Sequence, residues 1–206
     1  NSGSVYVYDR DNKGTDDPID DVWAQVAKLI PSDVQRNDEF GNSVAIDGTD
    51  ASGYTAAIMG GGSAYIFQSP DGHTWTQQNK LTPDGGVFSG SQTGSAIAIS
   101  GDTIVIGSSG DDTLGRNAGA AYVFQGSSGD WSEPSSQTLQ GTGIKKGHGF
   151  GNSVSISGNT IAVASAPAAY VFELNGSTGT WEEHAHLTRS DGNNLGRAVA
   201  VSGDTI

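Results

Sequence analysis

The chain has 206 residues with 31 Gly, no Cys, 10 basic and 23 acidic side chains, a formal net charge of −13 and a pI near 4.3. Glycine is at about twice its average usage but without a G-X-Y period, and 34% apolar residues can build a core, so collagen and disorder are both excluded. No apolar run approaches the ~18 residues of a membrane span, so no transmembrane segment is expected. Nucleic acid is excluded as a partner because phosphate binding needs clustered cations, and the only adjacent basic pair is Lys145-Lys146. Without cysteine there is neither a disulfide framework nor a thiolate metal site. The acids are 18 Asp to 5 Glu, a bias toward turn residues and hard-cation ligands.

In chain order, the first predicted strand is Ser4–Tyr8 (SVYVY), and related strings recur at Ser63–Phe67, Ala120–Phe124 and Ala168–Phe172. Their first aromatics, Tyr6, Tyr65, Tyr122 and Tyr170, are 59, 57 and 48 residues apart. One tryptophan follows each string, and Trp23, Trp75, Trp131 and Trp181 are all the tryptophans in the chain. A residue used once per unit at a repeated position reads as packing between units. Between these markers lie Phe40–Gly48, Thr93–Gly107, Phe150–Ala164 and Leu195–Ile206, each reading as a strand, a tight turn and a strand. Apolar residues alternate there, as in Ile97 and Ile99, while Gly101-Asp102 and Gly158-Asn159 supply the positive-φ residues of two-residue hairpins. Ala45, Ala98 and Ser155 are small, which suits strands crowded near an axis.

One unit therefore reads as four antiparallel strands repeated about every 50–60 residues, the blade pattern of a β-propeller, with a long β-sandwich as the rival. The expected fold class is all-β. Residues 1–39 form a half blade (strands 3 and 4), 40–83 a blade with a linker to 92, 93–141 and 150–188 two further blades, and 195–206 the start of a truncated one. Seven blades of ~55 residues would need about 385 residues, so these units read as consecutive blades of a larger propeller. Pairing of the two half blades into a small four-bladed ring is the alternative.

The strings Phe40-Gly41-Asn42-Ser43-Val44 and Phe150-Gly151-Asn152-Ser153-Val154 resemble FG-GAP repeats, the blades of integrin α-subunit propellers and of many secreted proteins. The run Ile106–Asp112 leading to Gly119–Phe124 extends the resemblance. Thr93-Gly94 and Leu195-Gly196 stand where Phe-Gly is expected, and Gly60-Gly61-Gly62 and Ala164–Pro167 are shortened GAP loops.

The resemblance implies a calcium loop, D-x-D-x-D-G-x-x-D, between the first two strands of a blade. Only the first full blade has a loop long enough. There Gly48, Asp50, Ser52, Gly53 and Ala56 fall on the signature positions, with Asp47 as a substitute for the first acid. The competing reading is an ordinary polar hairpin. A second candidate is Asp9, Asp11 and Asp16 around Gly14, although Lys13 stands where a third oxygen ligand belongs and a solvated acidic hairpin is the preferred reading of the stretch. No cofactor is thus assigned, and Ca²⁺ is the one candidate.

Other constellations are weaker. Asp111-Asp112 reads as turn capping, and His184-Ala185-His186 as an exposed outer-strand pair lacking a third metal ligand. Glu182-Glu183 carries no mark of a glycosidase pair, and the glycine-rich Gly147–Gly151 leads into a strand rather than a helix. No catalytic residue is expected. Asn175-Gly176-Ser177 is a sequon, with Asn175 a glycan acceptor if the protein is secreted.

These readings, with the resemblance, imply a non-enzymatic module of a secreted or cell-surface protein, acting in adhesion, protein–protein recognition or extracellular assembly through its loops. A glycan-binding propeller and an accessory domain of a secreted hydrolase are the alternatives.

Overall fold

A computed structural model describes residues 2–11, 14, 21–83, 96–166, 168–190, 195 and 197–206. Among them there is no helix, and so none long and apolar enough to cross a membrane. Strands β1 (Val5–Asp11) and β2 (Val22–Leu29) form a two-stranded antiparallel sheet. Three four-stranded antiparallel meanders follow. The first contains β3 (Val44–Thr49), β4 (Gly53–Gly60), β5 (Ser63–Ser69) and β6 (Thr76–Leu81), and the second β7 (Ala96–Ser100), β8 (Thr103–Ser108), β9 (Ala120–Ser127) and β10 (Asp130–Leu139). The third contains β11 (Val154–Ser157), β12 (Thr160–Ser165), β13 (Ala168–Asn175) and β14 (Thr180–Leu187). The sheets are propeller-like in connectivity. Thr93-Gly94 and Pro167 lie outside the described residues.

The turns follow from local chemistry. Gly101 and Gly158 each take φ near 54° between their strands, as a two-residue hairpin requires. The positive φ falls on the glycine alone, which corrects the expectation for Asp102 and Asn159. Asp102 instead turns its carboxylate to the backbone N–H groups of Ser128 (3.0 Å) and Gly129 (2.9 Å), closing the β9–β10 hairpin of the same sheet. Each outer strand has a register shift, and that of β10 is the longest, between Asp130 and Ser135, where Pro134 has no N–H to give the ladder.

Each sheet packs a face on the next, and the core is divided accordingly. Leu29, Phe40, Ile58, Tyr65 and Phe67 fill the space between the two-stranded sheet and the first meander. Ile66, Leu81, Ile104, Phe124 and Trp131 fill the space between the first and second, and Val105, Leu139, Phe150, Tyr170 and Trp181 that between the second and third. The first strands adjoin, β3 against β7 and β7 against β11, where the small Ala45, Ala98 and Ser155 permit close approach.

The Phe-Gly and GAP strings meet across these interfaces. Gly119, at φ 86°, bridges to Phe150, and Gly3 bridges to Phe40 in the same way. A Cβ on Gly119 would overlap the Phe150 carbonyl oxygen, so the approach needs glycine. Phe150 is fully buried and meets Tyr170 and Phe172 edge-on at 5.3 and 6.1 Å, while Phe40 meets Tyr65 and Phe67 at 5.5 and 6.2 Å.

Polar groups repeat across the interfaces too. Asp47 Oδ2 accepts from Gly101 N (2.5 Å), Ser100 Oγ from Gly158 N (3.2 Å) and Ser157 Oγ from Gly203 N (3.1 Å). The same position in three units therefore reaches the same glycine of the next. Ser153 and Ser155 extend this ladder to Val199 and Val201. At the outer strands Gln137 accepts from Trp181 N (2.8 Å) and donates to Trp181 O (2.7 Å), and Asn79 donates to Trp131 O.

Candidate functional site

Rims of sheet stacks carry the irregular backbone, so candidate chemistry is sought there. At one rim the β3–β4 turn of the first meander stands beside the β7–β8 turn of the second. Asp47, Asp50 and Ser52 lie on the former but face three different partners. Asp47 Oδ1 accepts from Gly48 N (2.9 Å) while its Oδ2 reaches Gly101, Asp50 accepts from the Tyr54 hydroxyl, and Ser52 exchanges hydrogen bonds with Thr49. The acceptor Asp50 holds the Tyr54 hydroxyl above its ordinary pKa, because loss of that proton would set two anions together. Oxygens so divided do not fit a cradle of six to eight calcium ligands.

Of the second group, Asp9 accepts from Arg10 N (2.8 Å) and lies 3.3 Å from His73 Nε2, and Asp11 ends β1 opposite Val22. Asp16 and Lys13 lie outside the described residues. Among the described residues no three His, Cys, Asp or Glu side chains converge where they could hold a metal ion.

The histidine pair is split between separate partners. His184 Nδ1 is 3.5 Å from Glu173, and His186 stacks on Tyr170 at 4.5 Å. Glu182 accepts from Asn175 Nδ2 (2.9 Å), whereas Glu183 accepts from Thr142 N (2.7 Å) across the interface, so the adjacent carboxylates point to different elements. The Asn175 nitrogen that a glycan would take is thus engaged with Glu182. Asp111 is buried and accepts from Thr113 N (2.9 Å) and the Tyr122 hydroxyl (2.8 Å), with burial and this anion together pushing that hydroxyl's pKa up.

Sequence reasoning passed over a cavity of about 750 Å³ at the rim between the first and second meanders. It arises because the first meander's loops are long, Asp50–Ser52 and Pro70–Trp75, while the facing turns of the second have only two residues each, Gly101-Asp102 and Ser128-Gly129. Its floor is tied by cross-sheet bonds, Asp47 to Gly101 and Gln68 Nε2 to Gly129 O (2.8 Å). One wall is braced by Asp71, whose Oδ1 accepts from Thr74 N (2.7 Å) and His73 N (2.9 Å), holding its pKa well below the usual carboxylate range. The unequal loop lengths were the available signal.

No curated protein matches the chain. The FG-GAP repeat family model matches residues 23–67 and 75–124. Each match opens on a tryptophan at the outer strand, Trp23 within it or Trp75 just before it, and closes on a third-strand phenylalanine, Phe67 or Phe124, so the matched unit spans an interface instead of one sheet. Across those two segments the chain is similar to FG-GAP repeats.

Proposed function

We propose that the chain is a run of blades in a larger FG-GAP β-propeller, a non-enzymatic module of a secreted or cell-surface protein working in adhesion, protein–protein recognition or extracellular assembly. One observation carries the ring reading. Tyr6, Tyr8 and Trp23 are 46%, 54% and 65% exposed, yet the corresponding Tyr170, Phe172 and Trp181 are 2–3% exposed against the preceding sheet. Val44 and Ile46 are exposed in the same sense, while their counterparts Val154 and Ile156 are buried. A face with the residues of a sheet interface and no sheet upon it calls for another blade.

Recognition is then the work of the rims, because strands repeat from unit to unit while loops do not. Asn175 is the glycan acceptor, and calcium is assigned to the loop around Asp9 and Asp11 alone, because the Asp47, Asp50 and Ser52 oxygens are divided among other partners. The test is antibody labelling of source cells. The expected signal appears on intact cells or in the medium, and a signal seen only after permeabilisation would refute the extracellular reading. A glycan-binding reading is favoured separately by the rim cavity.

A further inference from the structure

The rim cavity between the first and second meanders has a chemistry that excludes most ligand classes. Among the described residues no lysine or arginine lines it, so phosphate and carboxylate ligands find no countercharge there. Polar and apolar atoms share its walls almost evenly, with Tyr54 and Pro70 supplying the ring side chains, whereas a lipid or a drug-like ring system prefers predominantly apolar walls. Its two carboxylates, Asp47 and Asp102, each place both oxygens on backbone N–H groups, which fixes them in position and withdraws them from a cation cradle.

What is left is a set of hydroxyl and amide side chains around one aromatic ring. Thr49 and Ser52 are bonded to each other, whereas Thr55, Thr76 and Gln78 keep hydroxyl or amide capacity, together giving both the donors and the acceptors required by a ligand whose every hydroxyl is both. The Tyr54 ring is pinned by its bond to Asp50 and stands beside Gly72, where a Cβ would come within 3.4 Å of the ring. A fixed aromatic face with a polar edge is suited to the C–H face of a pyranose. The cross-sheet bonds of the floor, Asp47 to Gly101 and Gln68 to Gly129, hold both walls in place without a ligand, which reduces the ordering cost of binding. The cavity follows from the length of the first meander's loops. Between the second and third meanders the β7–β8 and β11–β12 turns have two residues each, Gly101-Asp102 and Gly158-Asn159.

We infer that this inter-sheet cavity is a saccharide site, taking a neutral, hydroxyl-rich ring that stacks on Tyr54 and is held by the hydroxyls and amides around Gln78. The inference deepens the glycan-binding reading and does not depend on cell-surface location, since a soluble intracellular chain would keep the same site.

The test is protein-observed NMR of the whole 206-residue chain titrated with the methyl glycosides of glucose, galactose, mannose and N-acetylglucosamine. Calcium chloride and sodium phosphate serve as comparison titrants. At least one glycoside is expected to shift the amides of Gly53, Gly101 and Gly129 with a Kd of about 0.1–10 mM, the range of a small polar ligand. Tyr54→Ala is expected to weaken binding at least tenfold, Gln78→Ala by about three- to tenfold, and Tyr54→Phe by less than threefold because the ring remains. Should Tyr54→Ala fail to fold, Gln78→Ala and Tyr54→Phe carry the comparison. Saturating shifts that map to other loops, affinity unchanged in Tyr54→Ala and Gln78→Ala, response only to calcium or phosphate, or no response to any glycoside at 50 mM would each overturn the proposal.

Discussion

The two-stranded sheet and the third meander contain the same interface residues in opposite situations. In the third meander Tyr170, Phe172 and Trp181 are enclosed by the second, Gln137 grips the Trp181 backbone at both N and O, and the ring nitrogen of Trp181 is buried with no hydrogen-bond partner among the described residues. On the two-stranded sheet Tyr6, Tyr8 and Trp23 face outward, with the Lys28 ammonium 5.5 Å above the Tyr6 ring. The contrast separates what a residue type encodes from what its neighbour supplies. A repeated Tyr-x-Phe and Trp pattern specifies a docking face, and burial energy is gained only where a second sheet is present.

The largest expected effect comes from removing the hub of a closed interface. Phe150→Ala should cost about 3–5 kcal/mol in urea unfolding, since the ring is fully buried and joins two sheets. Trp23→Ala should stay within about 0.5 kcal/mol as an exposed substitution. Equal losses at both positions would dissolve the comparison.

Glycine substitution sharpens it on the backbone. Gly119→Ala should cost roughly 2–4 kcal/mol, because φ is 86° and the added Cβ meets the Phe150 carbonyl of the next sheet. Gly101→Ala should cost only about 1–2 kcal/mol, because its turn opens to solvent and conformational strain alone is felt. Chemical denaturation of both variants reads the difference directly.

Smaller again, Gln137→Ala should cost about 1–2 kcal/mol by leaving two Trp181 backbone groups unpartnered. Gln25→Ala, on the open two-stranded sheet, should be close to neutral. The least of these effects depends on pH. Asp71 has a depressed folded pKa, so its stabilisation is fully present above its unfolded value of about 3.9 and is lost as pH falls through the folded one. The Tm gap between wild type and Asp71→Asn should therefore be widest at neutral pH and narrow below about pH 4. A gap independent of pH from 7 to 2 would contradict the assignment.

Much of the architecture was legible because its determinants are local and periodic. Alternation in Ile97–Ile99 and the glycines at 101 and 158 locate strands and turns without any tertiary information. The interfaces were harder to read. Ser100, Ser157 and Asp47 look like ordinary turn residues, and only the stacking of sheets shows that each accepts a hydrogen bond from the following unit. Asp47 shows the same limit at the candidate site, since its sequence neighbours suggest a cation loop while its carboxylate reaches a glycine 54 positions on. The rim cavity was hard to read for a related reason: its signal is the difference between loop lengths in two units, a property of neither alone.

Acrylamide quenching of tryptophan fluorescence, in the 206-residue chain and in its full open reading frame, tests the docking-face claim most directly. Trp23→Phe should remove most of the quenchable emission from the 206-residue chain, since Trp131 and Trp181 are enclosed and Trp75 is partly buried, and Trp23 should be shielded in the full reading frame. Trp23 quenched equally in both would contradict it.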